Sequence, residues 1–233
     1  GLKDHSNDEL AAIMAGKKVG VGFSMTDRFF LLSGNTNRED LETQLQLQTA
    51  YLMHPGYRQD GVTLLRRAIP MIYNKMDHEV QGAMKKQVPS ILYRNNPRFT
   101  FPTQEQLTSY QVKDVRDWVD APLKNNYMEV TVTGDFRTED IIPLLERTVG
   151  AVPKRAEAPA TLDETLRHPA MADFNFSKDL TYDSSIDKTM VCLFWKTPGG
   201  ENKKLARRLN MLKAVFYDRV FKGLREDMGE TYS

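Results

Sequence analysis

KKVGVGFSMTDRFFLLSGN (residues 17–35), followed directly by TNREDLETQLQLQTAYLM (residues 36–53), decides the fold class. The first stretch reads as two strands joined by a short turn at Thr26-Asp27. In the second, Asn37 is placed to cap a helix whose apolar face is Leu41, Leu45, Leu47 and Leu52. Two strands adjacent in sequence and then a helix are antiparallel pairing with a helical cover, so the expectation is α+β, an antiparallel sheet with flanking helices.

The segments on either side fit that class. Upstream, Ser6 and Glu9 make an S-x-x-E capping box, and Gly16 closes a short helix expected from about Asn7 to Ala15, with Leu10, Ile13 and Met14 inward. Downstream, HPGYR ends the second helix, because Pro55 pushes His54 out of the helical region. Helical patterns then run from Gln59 to about Met76 (Val62, Leu65, Ile69, Ile72) and from Glu79 to Tyr93. Pro70 and Pro89 lie inside them and predict kinks or breaks. Thr103 with Gln106 is a second capping box, opening QEQLTSY, and Val112 to about Leu123 is helical.

YMEVTVTG (127–134) alternates as a strand, and Thr138 is placed to cap EDIIPLLERTVG. Residues 154–169, rich in Ala, Pro and charge, read as a linker. FNFSKDLTYD (174–183) and KTMVCLFWKTP (188–198) follow in hairpin order. A long helix then runs from about Glu201 to Met228, with an apolar stripe of Leu205, Leu209, Leu212, Val215, Phe216, Val220 and Leu224. It breaks at Gly229.

Composition narrows the function classes. The 233 residues carry 32 basic and 31 acidic side chains, so no basic excess is available for phosphate neutralisation and nucleic acid is not an expected partner. No apolar run approaches the roughly 20 residues that span a bilayer, and GLKDHSNDEL has no signal pattern. The single cysteine, Cys192, sits in the apolar run MVCLFW and reads as a buried core thiol.

Candidate chemistry is sparse. Zinc needs about three converging protein ligands. The four histidines, His5, His54, His78 and His168, form no close ligand pair, and the capping box accounts for Glu9. No G-x-S-x-G elbow or P-loop occurs, and the G-x-G of Gly20 and Gly22 falls within a strand. The remaining candidates are Arg225 and Tyr232 in LREDMGETYS (224–233), seven positions apart across a helix exit. Two readings stand. Arg225 pairs with an acid one helical turn away while Tyr232 packs, or both donate hydrogen bonds to a carbonyl or oxyanion of a ligand.

GLKDHSNDELAAIMAGKKV (1–19), FLLSGNTNREDLETQLQLQTAYLMHPGYR (30–58), NNPRFTFPTQEQL (95–107), VTGDFRTEDIIPLLERTVGAVP (132–153) and LREDMGETYS cover most of the chain. In that order they resemble the C-terminal half of pitrilysin/insulinase-type zinc metallopeptidases, the inverzincins, and most closely their bacterial members. The resemblance implies a LuxS/mitochondrial-processing-peptidase-like domain at 1–153, degenerate at its metal site, the linker at 154–169, and the start of a second, related domain at 170–233. It implies a zinc endopeptidase whose H-x-x-E-H ligands and catalytic glutamate lie in a separate N-terminal half. The equivalent helix here reads KDHSNDEL and lacks that motif.

By the same resemblance this chain is non-catalytic and binds no metal. It closes the substrate chamber against the catalytic half, binds extended peptide, and supplies Arg225 and Tyr232 to substrate or transition state. The alternative is an inactive homologue serving as a structural or binding subunit. Bacterial relatives are often exported to the periplasm, while the sequence leaves the compartment open.

Overall fold

The computed structural model describes residues 1–26, 28–173, 175–186, 188–198 and 202–227. Helices dominate it, with one antiparallel hairpin, so the class is α+β. The hairpin pairs β1 (Gly22–Met25) with β2 (Phe30–Ser33) in the register Gly22↔Ser33, Phe23↔Leu32, Ser24↔Leu31, Met25↔Phe30. Thr26 closes the turn. Its N–H donates to the Phe29 carbonyl at 3.0 Å, and its hydroxyl accepts from the Phe29 N–H at 3.0 Å.

The helix α2 (Leu41–Met53) is the central element, because it buries side chains on opposite sides. Leu47 joins Leu2 and Leu10 in one cluster, with Met14, Val19, Val21 and Tyr51 around it. Leu52 joins Val119 and Leu123 of α6 (Val112–Asn125) in a second, with Phe30, Leu32, Met53, Tyr57, Met128 and Val152. The second cluster holds the hairpin on the helical layer, and Trp118 meets Phe30 edge-on at 5.6 Å. Fully burying one such leucine contributes about 1.5–3 kcal/mol, so these two small clusters carry much of the stability of this region.

Local signals are realised where local chemistry suffices. In α1 (Asn7–Ile13), the Ser6 hydroxyl accepts from Glu9 N and the Glu9 carboxylate accepts from Ser6 N, at 3.2 and 2.7 Å. Gly16 follows at φ +78°, the left-handed exit expected of it. Thr103 and Gln106 form the second box, opening α5 (Gln104–Ser109). Asn37 does not cap α2 directly. Its Oδ1 accepts from Asp40 N at 2.8 Å, making a turn that ends where the helix starts. Thr138 is the first residue of α7 (Thr138–Glu146), and the cap position belongs to Arg137.

Neither internal proline divides its helix. α3 (Gln59–His78) runs through Pro70, and α4 (Val80–Leu92) runs through Pro89. Pro70 lies on the exposed side of α3. The buried face of α3 is centred on the expected Ile69 and on Tyr73, whereas the expected Leu65 and Ile72 are exposed. Packing against α4 and α5 selects that face, and the Tyr73 hydroxyl donates to the Pro102 carbonyl beside α5. Ile13 likewise turns out to solvent, while Leu10 is buried and Met14, capping the end of α1, packs on the same cluster.

Three expected strands are not strands. Residues 127–134, 174–183 and 188–198 pair with no neighbour among the described residues. Alternation specifies a pleated face, but a strand exists only when a second backbone supplies its hydrogen bonds. Cys192, expected in a core, is exposed because it lies in one of these runs. The expected linker is partly ordered: it contains a short helix, α8 (Glu164–Arg167), and its beginning is fastened to the end of α6. α9 (Lys203–Phe221) starts from Asn202, whose Oδ1 accepts from Leu205 N at 3.0 Å.

Candidate functional site

Arg225 lies just beyond α9. The chain widens there from an α-helix to a π-helical turn, Lys222–Asp227, which contains Gly223. Glycine lowers the cost of leaving the α-helical ladder, and such turns often occur at functional positions. The Arg225 guanidinium stands over the Phe221 ring, 5.1 Å from its centroid. Phe221 in turn stacks on Tyr217, with ring centroids 6.0 Å apart and planes 20° apart. Tyr217, Phe221 and Arg225 thus form one column up the side of the helix. The sequence reading missed this column, although the signal, two steps of four residues, is plain in it.

Tyr232 and Gly229 lie outside the described residues. The structure therefore locates one member of the expected pair, Arg225, beside an aromatic ring.

Most of the stripe expected on α9 is exposed, with Leu212 62% and Phe216 50% accessible, while Leu205 and Leu209 are half-buried. Its neighbours are similarly open, with Val191 at 82% and Trp195 at 67%. One edge-on contact, Trp195 to Phe216 at 6.0 Å, connects the 188–198 run to the helix. On its other side that run and residues 176–182 face α4 across an open groove of about 720 Å³. Val80, Ala83 and Ile91 lie on the helical wall, with Leu180, Met190 and Phe194 opposite. Polar residues, among them Lys178, Asp179, Tyr182 and Lys188, share the lining with these apolar side chains.

Among the described residues no group of three or more His, Cys, Asp or Glu side chains converges, so they do not fit zinc. His5, His54, His78 and His168 are all exposed. His78 places Nδ1 2.8 Å from the Asn74 carbonyl and Nε2 3.5 Å from Asp183, and His168 faces Glu164 at 3.5 Å. The Glu9 carboxylate is committed to its cap. The Ser6 N–H, and then the Ser6 hydroxyl, hold it below the ordinary carboxylate range. No described helix is long and apolar enough to cross a membrane.

Known proteins resemble the chain in both sequence and fold. Over 138 residues it is 21% identical to the chloroplastic stromal processing peptidase of Pisum sativum, a match covering 58% of this chain and 11% of that protein. Its fold matches that of a mutant of the ferredoxin protease FusC, solved in complex with Arabidopsis ferredoxin. The TM-score is 0.52 at 16% identity, over 70% of this chain and 18% of the other. The chain thus spans less than a fifth of the length of either relative. The family description "Peptidase M16 inactive domain" matches residues 109–233, a span that takes in α9 and all of LREDMGETYS. More than half of its residues carry that match, and the chain belongs to the M16 peptidase family.

Proposed function

We propose that this chain is the non-catalytic C-terminal part of a zinc-dependent endopeptidase. It closes the substrate chamber, binds extended peptide, and contributes Arg225 and Tyr232 to substrate or transition-state binding. The observation that carries the reading is the match to the inactive peptidase domain, which runs through both residues. A metal ion bound in the other half of the parent enzyme would supply an activated water. The part of this chain is to orient the peptide and to place donors where negative charge develops. Residues 1–153 and 170–233 are the two domains of this half, joined at 154–169.

The β1–β2 hairpin suits the peptide-binding part. It has no third strand among the described residues, so an extended peptide can pair along an outer edge. The open stripe of α9 and the 188–198 run suit packing against the remainder of the parent protein. The same exposed surface supports a second reading, in which an inactive homologue acts as a structural or binding subunit.

The full-length protein separates the two. Arg225→Ala and Tyr232→Phe each lower kcat/KM for peptide hydrolysis by about 10²-fold if the residues serve the transition state. Unchanged values in both variants remove that role and favour the subunit reading. The isolated chain is expected to bind no stoichiometric zinc and to cleave no peptide. One tightly held zinc per chain, or a chelator-sensitive peptidase activity, contradicts the assignment.

A further inference from the structure

We infer that residues 189–195 pair with a β-strand supplied by the remainder of the parent protein, an extended segment with apolar side chains at alternate positions, and that the two together cover the exposed part of the α9 stripe. The inference rests on the proposed packing of this surface within the parent protein and names the element that packs there.

The run carries two unmet demands. Its side chains are apolar and open to water, Val191, Leu193 and Trp195 among them. Its backbone is open as well: among the described residues, 189–195 make no backbone–backbone hydrogen bond. A helix laid over the run would bury the side chains and leave the N–H and C=O groups without partners. A strand satisfies both demands, because it pairs the backbone while its alternate side chains extend the apolar face.

The contact with α9 decides which face is extended. Trp195 meets Phe216 edge-on, at 6.0 Å. In an extended chain Val191 and Leu193 fall on the side of Trp195. Val191 to Trp195 then spans about 13 Å, against about 12 Å along the helix from Leu212 to Val220. The lengths match and the widths do not. Neighbouring strands lie about 4.8 Å apart, whereas a helix with its side chains is about 10 Å across, so one strand covers half of the stripe and a second is needed.

The relatives have the chain to supply it, since this one matches less than a fifth of either. A second copy is the poorer donor. Residues 203–221 of α9 carry six basic side chains and one acid, and two such helices on one sheet repel.

The test uses the full-length protein. Amide hydrogen exchange resolved to single residues reads the pairing, and hydroxyl-radical footprinting reads the cover. Alternate amides of 189–195 are expected to exchange about 100-fold more slowly than in an unstructured chain, with Leu212 and Phe216 shielded from oxidation. Leu193→benzoylphenylalanine identifies the donor: its photo-cross-link, read by mass spectrometry, is expected within the same molecule, in a segment outside residues 1–233. Unprotected amides with Leu212 and Phe216 shielded overturn the strand and leave the packing in place. Free oxidation of both side chains overturns the packing and the strand with it. A cross-link to residues 175–183, or to a second copy, overturns the parent-supplied strand. If the replacement at 193 perturbs folding, Val191→benzoylphenylalanine takes its place, and the exchange pattern of the wild type decides the pairing in either case.

Discussion

The side-chain amide of Gln44 pairs with the backbone of Gly20 as a strand would. Its Oε1 accepts from Gly20 N at 2.9 Å and its Nε2 donates to Gly20 O at 2.8 Å. Gln44 is only 3% accessible, a buried polar residue with both ends of its amide used. It fastens the chain entering β1 to the central helix α2. Gly34, leaving β2, packs on the same amide; a Cβ built there runs into Gln44 Nε2 and lies 2.8 Å from Gly20 O. Gln44→Leu strands the two Gly20 groups and is expected to destabilise the fold by about 1–3 kcal/mol. Gly34→Ala displaces the amide and costs a similar amount, about 1–3 kcal/mol. Chemical denaturation measures both, and the double variant should fall short of the sum because the two act on one contact.

Tyr57 combines two costs. It takes φ 43°, a left-handed backbone unusual for a bulky residue, and its buried hydroxyl has no hydrogen-bond partner of normal geometry. Burial, and then the nearby Asp120 carboxylate, push its ionisation up to about 12. Below the ordinary value of 10 both folded and unfolded chains keep the proton, and the contribution is complete. Between 10 and about 12 the unfolded chain ionises first, so stability falls. Tyr57→Phe is expected to be neutral or stabilising by up to about 1 kcal/mol at neutral pH. It should also lose part of the alkaline decline. Denaturation midpoints for wild type and variant across that range provide the check.

Arg155 fastens the linker. Its Nε donates to the Asn126 carbonyl at 2.9 Å, its Nη2 donates to the Leu123 carbonyl, and Ala156 N donates to the Asn125 carbonyl at 2.9 Å. A cation is well placed against the carbonyls that close α6. Arg155→Ala frees the start of the linker and is expected to cost about 1.5–3 kcal/mol, the scale for hydrogen bonds to a charged group. Limited proteolysis should show faster cleavage between residues 154 and 163, with Arg155→Lys intermediate.

Asp40 ties the segment before β1 to the start of α2. The Lys18 N–H donates to its Oδ2 at 2.9 Å, and Lys17 lies 3.7 Å from Oδ1. That backbone hydrogen bond is the main reason its carboxyl is held below the ordinary 3.8. A lowered folded value stabilises above 3.8, and the stability is lost as pH falls through the folded value. Glu42, held by Arg147, and Asp140, held by Arg137, act in the same direction. Stability should therefore drop on the acid side of about pH 4, and Asp40→Asn should show a shallower acid limb in denaturation midpoints.

The residues that the sequence decided by itself share one property: their partners lie within a few positions. The Ser6–Glu9 and Thr103–Gln106 boxes, the turn at Thr26 and the helical runs need only local hydrogen bonds and one apolar period. Family membership was legible for a related reason, since short motifs in a fixed order survive as text. What the tertiary structure alone decided depends on distant neighbours. Residues 127–134, 174–183 and 188–198 alternate like strands, yet among the described residues none of them joins a strand ladder, and Cys192 is exposed with them. The buried face of α3 was chosen by α4 and α5. The role of Gln44 appears only once Gly20 is folded against it. Arg225 was identified from its motif, but its place beside the Phe221 ring, on a π-helical turn, is seen only in the folded chain. Propensity and capping act over one helical turn, whereas pairing and burial are settled by whichever surface the rest of the chain brings near.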